Sequence, residues 1–388
     1  MEDEITFSNV FGGGGEIRKH FAPGRVNLIG EHTDYNGGHV FPCALSIGTY
    51  AAVRKRTDRK LRFYSENFPE AGVIETSLDD REYHKELGWT NYPRGVVWAA
   101  EEAGFRADCG FDVMYRGTIP NSSGLSSSAS IEVLTGFFLV DLYGFSYDGI
   151  TNAKLGQRAE NAFIGVNCGI MDQFAIAMGR KEHAIFLNTG TLKYEYAPLD
   201  LQGVRIVIMN TNKKRGLGDS KYNERRAECE EALRYVWQVV PADALCELTK
   251  EQWEAAREAI PSPVLRRRAE HAVTENLRTL AAYEALKKGN LAAFGRLMNE
   301  SHISLRDDYE VTGKELDTLV AAAWEVPGVI GARMTGAGFG GCAVSLVKEE
   351  AVEALMQTVK ERYEAQIGYA PSFYVAEAGG GPGVLAEC

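Results

Sequence analysis

The chain has 388 residues, long enough for two or three domains that each bury a core of their own. Hydrophobic residues make up 45% of it and charged residues 24%, which excludes the composition of a disordered segment. A net charge of −11 disfavours nucleic acid or an anionic membrane surface as the main partner. A nucleotide is still permitted, because one triphosphate needs only local amides, a metal ion and one or two cations.

Cysteine spacing and apolar runs indicate a cytoplasmic protein without a membrane span. The seven cysteines include no CxxC pair, so neither a zinc site nor a disulfide framework is predicted, and free cysteines suit a reducing compartment. The N-terminal string MEDEITFSNV is acidic and has no apolar core, unlike a signal peptide. The most apolar run, residues 133–140, is too short to cross a bilayer.

Strand-like and helical patterns alternate along the first half of the chain. A turn-like connection over residues 199–203 then precedes residues 204–210, an apolar run typical of a buried strand. We therefore predict an N-terminal mixed α/β lobe over residues 1–202 and a C-terminal lobe over residues 203–388. In the first lobe the predicted strands are residues 48–53, 60–64, 111–115 and 184–187, and the predicted helices are residues 93–103 and 127–143.

The second half is rich in helical patterns and returns to strands near its end, which is an α+β arrangement. The predicted helices are residues 219–239, 263–288, 291–301, 313–325 and 349–367, and the predicted strands are residues 332–334, 343–347 and 372–376. Two short glycine runs, residues 12–15 and 379–381, are interpreted as flexible loops without a function.

The most distinctive string is GRVNLIGEHTDYNGG at residues 24–38. It couples a cation, Arg25, to a polar cluster of Glu31, His32 and Asp34, a pattern that strand alternation does not explain. Sugars are recognised through hydroxyls that both donate and accept, so carboxylates and an imidazole beside small glycines form a suitable hydrogen-bonding wall. The alternative is an N-capped turn in which the short polar side chains satisfy local amides.

A second string, PNSSGLSSSAS at residues 120–130, is predicted to open a buried helix, because the residues after it are apolar on nearly every helical face. Small residues let backbone amides approach phosphate oxygens, and the positive end of the helix dipole favours their charge. The string therefore indicates an anion cradle, with a serine-capped helix start as the alternative.

A third string, MTGAGFGGC at residues 334–342, also satisfies the pattern GxGxxG. A dinucleotide-binding unit needs a helix to open on the last glycine, because the helix N-terminus holds the pyrophosphate. Residues 343–347 are β-like instead, so nicotinamide binding is rejected. We predict a tight glycine hairpin whose backbone can approach phosphates.

Two acids, Glu160 and Asp172, have largely apolar neighbours in the sequence. Buried carboxylates are costly unless they pair with a metal ion or a cation, so both are candidate functional groups. The alternatives are a helix-surface Glu160 and a helix-capping Asp172.

The basic runs at residues 213–215 and 220–226 are interpreted as a solvated face. The segment WTNY at residues 89–92 is interpreted as part of the core.

Residues 24–38 closely resemble the sugar-recognition signature of galactokinases. The serine-rich string and the glycine hairpin resemble motifs of the superfamily that unites galactose, homoserine, mevalonate and phosphomevalonate kinases, the GHMP kinases. The resemblance runs from residue 21 nearly to the end of the chain. It implies an α+β protein with the two-lobed GHMP kinase fold: an N-terminal mixed α/β lobe similar to ribosomal S5 domain 2, a C-terminal ferredoxin-like lobe, and an active site between them.

The resemblance also assigns residues. The segment CGIMDQF carries the catalytic aspartate of galactokinases, here Asp172, which is expected to accept the proton of the sugar O1 hydroxyl while Arg25 keeps it ionised and stabilises the γ-phosphoryl charge. Ser128 and Glu160 occupy the places of Mg²⁺ ligands. The implied sugar contacts are Glu31, His32, Asp34, Gly169, Asp172 and Tyr222, and the implied ATP contacts are Gly124, Leu125, Ser126, Ser127, Ser128, Ala129, Gly336 and Gly338.

The implied activity is transfer of the γ-phosphoryl group of ATP to O1 of galactose, with galactose and MgATP as partners and neither nucleic acid nor a membrane. The sequence leaves the oligomeric state open, and a monomer is plausible. One alternative is a GHMP kinase for another sugar, such as N-acetylgalactosamine or arabinose. The other is a non-catalytic galactose and ATP sensor, against which the intact GLSSSA string and Asp172 argue.

Overall fold

The computed structural model describes residues 2–119, 124–199, 201–213 and 218–386, without the side chains of residues 2–6 and 218–220. The strands in chain order are β1 (Arg18–Asn27), β2 (His39–Val40), β3 (Pro42–Lys55), β4 (Lys60–Ser65), β5 (Ile74–Ser77), β6 (Phe111–Gly117), β7 (His183–Asn188), β8 (Tyr194–Pro198), β9 (Val204–Asn210), β10 (Val329–Thr335), β11 (Cys342–Lys348), β12 (Ser372–Ala376) and β13 (Gly383–Val384).

The helices in chain order are α1 (Glu2–Phe11), α2 (Asn91–Glu102), α3 (Ser127–Tyr143), α4 (Gly149–Arg158), α5 (Met171–Ala177), α6 (Gly218–Trp237), α7 (Lys250–Ala256), α8 (Pro263–Lys287), α9 (Leu291–Asp307), α10 (Gly313–Trp324) and α11 (Val352–Ile367). A π-helical turn over Ala159–Ile164 follows α4 directly.

A six-stranded sheet with the order β13-β1-β3-β6-β4-β5 organises the N-terminal part of the chain. All its neighbours are antiparallel except β4 and β6. Phe111, Val113 and Phe63 on its strands share a buried cluster with Val133 and Phe138 of α3. Because α3 is held against the sheet by this core, the start of α3 lies beside β1, the strand that carries Arg25.

A four-stranded antiparallel sheet with the order β10-β11-β9-β12 organises the C-terminal part. Helices α6 to α10 lie between β9 and β10 in the chain, and α11 lies between β11 and β12. This β-α-β-β-α-β succession with β9 and β11 in the centre is the ferredoxin-like arrangement. Its core joins Val207 and Met209 of β9 to helix residues such as Leu319 and Leu355.

Most predicted elements are confirmed, and the exceptions have physical causes. The predicted N-terminal strands lie within β3, β4, β6 and β7, and the predicted glycine hairpin joins the antiparallel strands β10 and β11. Strand β1 was missed, because its residues from Ala22 to Asn27 are all buried and therefore do not alternate in polarity. The division of the chain at residues 202 and 203 stays a prediction.

Both glycine runs lie in loops, as predicted, and hydrogen bonds hold parts of each loop against the N-terminal sheet. The carbonyls of Gly12 and Gly14 each accept a hydrogen bond of 2.7 Å from Nη1 of Arg54, which ties α1 to the sheet. The N–H of Gly379 donates to the Ala44 carbonyl at 2.8 Å. A Cβ on Gly379 would lie 2.4 Å from the Leu45 carbonyl oxygen, so glycine is needed there for close backbone packing.

No helix among the described residues is long and apolar enough to cross a membrane. None of the described cysteines, which include buried Cys43, Cys229, Cys246 and Cys342, forms a disulfide bond. The cytoplasmic location stays a prediction. The first residues of the serine-rich string, residues 120–123, and residues 214–217 of the first basic run and the segment after it lie outside the described residues.

Candidate active site

A cavity of about 900 Å³ opens where the two sheets and their helices meet. Elements of the N-terminal half supply Arg25 at the end of β1 and Asp172 in the first turn of α5. Elements of the C-terminal half supply Tyr222 on α6 and Gly336 in the hairpin after β10. Distant parts of the sequence therefore line one cavity.

The Arg25 guanidinium forms a two-pronged ion pair with the Asp172 carboxylate. Its Nε and Nη2 donate to the two carboxylate oxygens at 2.8 Å each, and Nη1 donates to the Gly124 carbonyl at 2.7 Å. Burial opposes the charge of Arg25, but the carboxylates of Asp172, Glu31 and Asp34 outweigh it, and the pKa of Arg25 is raised. The Asp172 side chain keeps 31% of its surface accessible, so it is oriented by Arg25 yet open to a ligand.

Residues at the start of α3 contact both members of this ion pair. Ser126 precedes the helix with φ of 60° and makes no capping hydrogen bond; its hydroxyl instead donates to Oδ2 of Asp172. The Leu125 carbonyl accepts from the Arg25 backbone N–H at 3.3 Å. The alternative of a serine-capped helix start does not hold for Ser126, and Ser127 and Ser128 in the first turn line the cavity.

Glu31 connects residues 24–38, called the sugar-wall segment from here on, to the glycine hairpin at residues 334–342. Its Oε1 accepts from the Gly336 N–H at 2.7 Å and from Nη1 of Arg333 at 3.3 Å. Gly336 has φ of 84°, and a Cβ there would lie 2.9 Å from the Gly124 carbonyl oxygen. The hairpin therefore packs against the serine-rich string, which brings the two glycine-containing motifs to one wall of the cavity.

Asp34 lies beside Gly169 at the floor of the cavity. A Cβ on Gly169 would come 1.9 Å from Oδ2 of Asp34, so only glycine allows this approach. Burial, followed by the charges of Asp172 and Glu31, raises the pKa of the Asp34 carboxyl to about 7. Two acidic neighbours and burial therefore favour the protonated form of Asp34.

This pKa predicts that Asp34→Asn changes the pH dependence of stability. The ordinary pKa of 3.8 applies to the unfolded chain, so between about pH 4 and pH 7 folding takes up a proton and stability from this group falls as the pH rises. The variant cannot show this fall in stability. The difference in free energy of unfolding between the variant and the unsubstituted chain, each measured by urea titration, should therefore shift in favour of the variant by on the order of 2 kcal/mol from pH 5 to pH 8. Parallel curves for the two proteins would contradict the assignment.

A second acid group lies deeper, next to the start of α3. Burial raises the pKa of Glu160 despite hydrogen bonds from Cys168 and Ser128, and burial together with the Glu160 charge raises the pKa of Glu132 well above its usual range. Oε2 of Glu132 accepts from Nε2 of Gln173 at 3.0 Å, and a hydrogen bond joins the Glu132 and Glu160 side chains. Two buried acids therefore lie together beside Ser128, and a cation bound there would offset the repulsion between them.

The described residues contain no group of three or more acidic, histidine or cysteine side chains able to hold a metal ion alone. Mg²⁺ is typically bound by one or two carboxylates together with substrate phosphates, so an all-protein cage is not needed. The donor set of Ser128 and Glu160 at the cavity wall fits that mode.

Most of the predicted site residues come together. Arg25, Glu31, His32, Asp34, Ser127, Ser128, Glu160, Gly169, Asp172, Tyr222, Gly336 and Gly338 all line the cavity. Gly124, Leu125, Ser126 and Ala129 lie behind its surface; Leu125 and Ala129 are buried in the cores, and Gly124 and Ser126 contact the ion pair.

Known proteins with similar sequences identify the family of this chain. A family model described as the galactokinase galactose-binding signature matches residues 6–55, and models of the GHMP kinase N-terminal and C-terminal domains match residues 91–180 and 282–365. The galactokinase of Clostridium beijerinckii is 57% identical over 93% of both chains. The galactokinase of Bacillus subtilis is 53% identical over 98% of both chains.

The chain belongs to the galactokinase family. A crystal structure of Lactococcus lactis galactokinase with galactose superposes with a TM-score of 0.97 over 99% of both chains, at 50% identity. The Methanococcus jannaschii mevalonate kinase, at 19% identity and a TM-score of 0.65, shares the fold. The predicted two-lobed GHMP kinase fold is thus confirmed.

Three features of this galactokinase-family site were missed or misinterpreted from the sequence. Tyr92, interpreted as core, lines the cavity. Lys213, placed on a solvated face, also lines it and pairs with Glu315 at 3.0 Å. Glu132 carried a usable signal, because it is the only charged residue in the apolar stretch from Ile131 to Val140, and it is fully buried.

The solvated-face interpretation is also wrong for Arg225. Its guanidinium is buried and donates from Nε to the Tyr309 carbonyl at 2.7 Å. This contact joins α6 to the segment after α9, and its partner lies 84 positions further along the chain. A local charge pattern could not identify such a partner.

Proposed function

We propose that this chain transfers the γ-phosphoryl group of ATP to O1 of galactose, giving galactose 1-phosphate and ADP. The two-pronged pair between Arg25 and Asp172, placed where the sugar-wall segment, the serine-rich string and the glycine hairpin converge, is the observation that carries this proposal. Membership of the galactokinase family and the likeness to a galactose-bound relative support the choice of sugar.

Asp172 accepts the proton of the O1 hydroxyl in this proposal. Its carboxylate is fixed by Arg25 and by the Ser126 hydroxyl, so it is oriented before the sugar arrives. Phosphoryl transfer requires little covalent chemistry from the protein, so catalysis depends on positioning the reactants and on stabilising charge. Arg25 lies next to the reacting groups and stabilises the negative charge that develops there.

The phosphates lie between the start of α3 and the glycine hairpin. Ser127 and Ser128 in the first turn of α3 offer hydroxyls and backbone amides at the positive end of a 17-residue helix. The hairpin glycines let a phosphate approach the backbone closely, because no Cβ stands in the way. Ser128 and Glu160 would hold Mg²⁺, which neutralises charge on the phosphate oxygens when bound.

The sugar lies against Glu31, Asp34, Gly169 and Tyr222. Carboxylate oxygens accept from hydroxyls, and the Tyr222 ring offers an apolar face to the less polar side of the sugar. The missing side chain at Gly169 leaves room for Asp34 and for a ring beside it.

An assay of ADP release with a panel of sugars tests the proposal. Galactose should support turnover at least about a hundredfold better, in kcat/KM, than N-acetylgalactosamine or arabinose, because hydroxyls matched to buried polar groups discriminate strongly. A preference for another sugar would identify a kinase of different specificity. Binding of galactose and ATP without turnover would indicate a sensor and would refute the proposal.

A further inference from the structure

The Glu31 carboxylate, which lines the cavity, is held through one of its two oxygens. Oε1 accepts from the Gly336 N–H at 2.7 Å and from Nη1 of Arg333 at 3.3 Å. The other oxygen, Oε2, takes part in neither bond. An ionised carboxylate only accepts hydrogen bonds, so Oε2 is the acceptor that Glu31 has left for a ligand in the cavity.

The guanidinium of Arg333 is fixed before it reaches Glu31. Arg333 belongs to β10, the strand that leads into the glycine hairpin, and its side chain is fully buried. Nη1 also donates to the Asn27 carbonyl at 3.0 Å, and Nε donates to the Ser301 hydroxyl at 3.2 Å. Because the N–H groups of a guanidinium lie in one plane, these bonds fix the direction in which Nη1 meets Glu31.

An acid on α8, Glu275, holds the backbone of the same residue. Its Oε1 accepts from the N–H groups of Gly30 at 3.0 Å and Glu31 at 3.4 Å. The same oxygen lies 4.0 Å from Nη2 of Arg333. Burial opposes the charge of Glu275, but Arg278, followed by two further basic residues, outweighs it and lowers the pKa to about 2. The backbone and the carboxylate of Glu31 are therefore held by separate groups of the C-terminal half.

The next residue of the sugar-wall segment, His32, has other partners. A carbonyl only accepts, so Nε2 of His32 donates to the Ala337 carbonyl at 3.2 Å. Nδ1 lies 2.6 Å from the Tyr35 hydroxyl, which lies 2.8 Å from the Tyr309 hydroxyl. None of these hydrogen bonds involves Arg333, so a substitution of Arg333 leaves the anchoring of His32 in place.

We propose that Arg333 is a positioning residue for sugar recognition: its guanidinium holds Oε1 of Glu31, so that Oε2 accepts from a hydroxyl of the sugar. Arg333 is not among the residues that line the cavity, and it acts through Glu31. This inference rests on the proposed function, because it takes the ligand at Glu31 to be galactose.

Arg333→Lys tests the inference. Lysine keeps the positive charge, but an ammonium cannot donate to Glu31 and to the other two partners of Arg333 in one fixed plane. The galactose KM and the Kd from calorimetric titration should both rise about tenfold, the effect of one lost hydrogen bond, whereas kcat and the KM for ATP should change less than about threefold. An equal rise in the KM for ATP would mean that β10 has displaced the whole hairpin, and would overturn the inference.

Deoxygalactoses give a reading that a loss of packing would not move. The preference for galactose over its 2-, 3-, 4- and 6-deoxy forms is measured as a ratio of kcat/KM values. Glu31→Gln should reduce this preference at the position whose hydroxyl meets Oε2, because a neutral amide replaces a charged acceptor. Arg333→Lys should reduce it at the same position and leave the other ratios within about twofold. A reduction at different positions, or at none, would overturn the inference.

The double variant shows whether Arg333 acts through Glu31. In a Glu31→Gln background, Arg333→Lys should raise the galactose KM less than about twofold further, because both substitutions weaken one contact. A further rise of about tenfold would show that the two residues act independently, and would overturn the inference.

Arg54→Lys is the matched control. Arg54 is another buried arginine, and its guanidinium binds the Asp112 carboxylate and the carbonyls of Gly12 and Gly14, none of which lines the cavity. Its replacement should lower the melting temperature without changing the galactose KM. A tenfold rise in that KM would assign the effect of Arg333→Lys to lost stability.

Ser301→Ala tests the same contact by a milder change. It removes the hydroxyl that accepts from Nε of Arg333 and donates to Oε1 of Glu275. The galactose KM should rise about threefold, with the same deoxygalactose position affected. An unchanged galactose KM in every one of the two variants that folds would overturn the inference. Absence of galactose turnover by the unsubstituted protein would refute the proposed function alone.

Discussion

Asp172→Asn should lower kcat for galactose by about a thousandfold while leaving the fold and galactose binding largely intact, because a positioned proton acceptor typically contributes 10² to 10⁴ in rate. Asparagine has nearly the same shape and can still accept hydrogen bonds from Arg25 and Ser126 through its oxygen. Steady-state kinetics gives the loss in kcat, and calorimetric titration with galactose gives the affinity.

Asp79→Asn is the control for this substitution. Asp79 is an exposed aspartate that pairs with Arg59 at the outer side of the N-terminal sheet, and its replacement should leave kcat unchanged. A turnover of Asp172→Asn within tenfold of the unsubstituted enzyme would remove Asp172 from the role of proton acceptor.

Arg25→Gln should lower kcat by a factor between about 10² and 10⁴ and should also lower the melting temperature. Arginine residues that stabilise the charge of phosphoryl transfer contribute about 10³ to 10⁵ where they have been removed. The substitution also leaves the Asp172 carboxylate beside Asp34 and Glu31 without its cation, which destabilises the folded state.

Arg25→Lys separates charge from geometry. Lysine keeps the positive charge but cannot donate to both carboxylate oxygens and to the Gly124 carbonyl in one plane, so its kcat should lie between those of Arg25→Gln and the unsubstituted enzyme. Arg205→Gln, which removes a surface pair with Glu349, should have no effect on kcat. Full activity in Arg25→Gln would contradict the role of this residue.

The features of the site that could be predicted from the sequence are those that depend on residues close together in the chain. The start of α3 at Ser127 followed from small residues ahead of an apolar helical run. The rejection of a dinucleotide-binding unit followed from the strand after Gly341, which is now β11. Asp172 and Glu160 were singled out because an acid among apolar residues must have a partner.

The parts that the sequence did not predict depend on contacts between distant segments. Tyr309 lies 274 positions from Tyr35, and Arg333 lies 302 positions from Glu31, so neither pairing leaves a pattern in a short window. The hydrogen bonds of His32 illustrate the limit most clearly. Its place in the sugar wall was predicted, but both of its ring nitrogens are engaged by groups that only the fold brings there.

Strand β13 pairs with β1, through His20 with Val384 and Phe21 with Gly383. The edge of the sheet that bears Arg25 is therefore covered by residues synthesised more than 350 positions later. During synthesis on the ribosome, this edge of β1 therefore stays unpaired until the ferredoxin-like lobe and the residues of β13 have emerged. Such high contact order slows folding, and an uncovered strand edge invites wrong pairing, so the late arrival of a two-residue strand makes completion of the N-terminal sheet a vulnerable step in biogenesis.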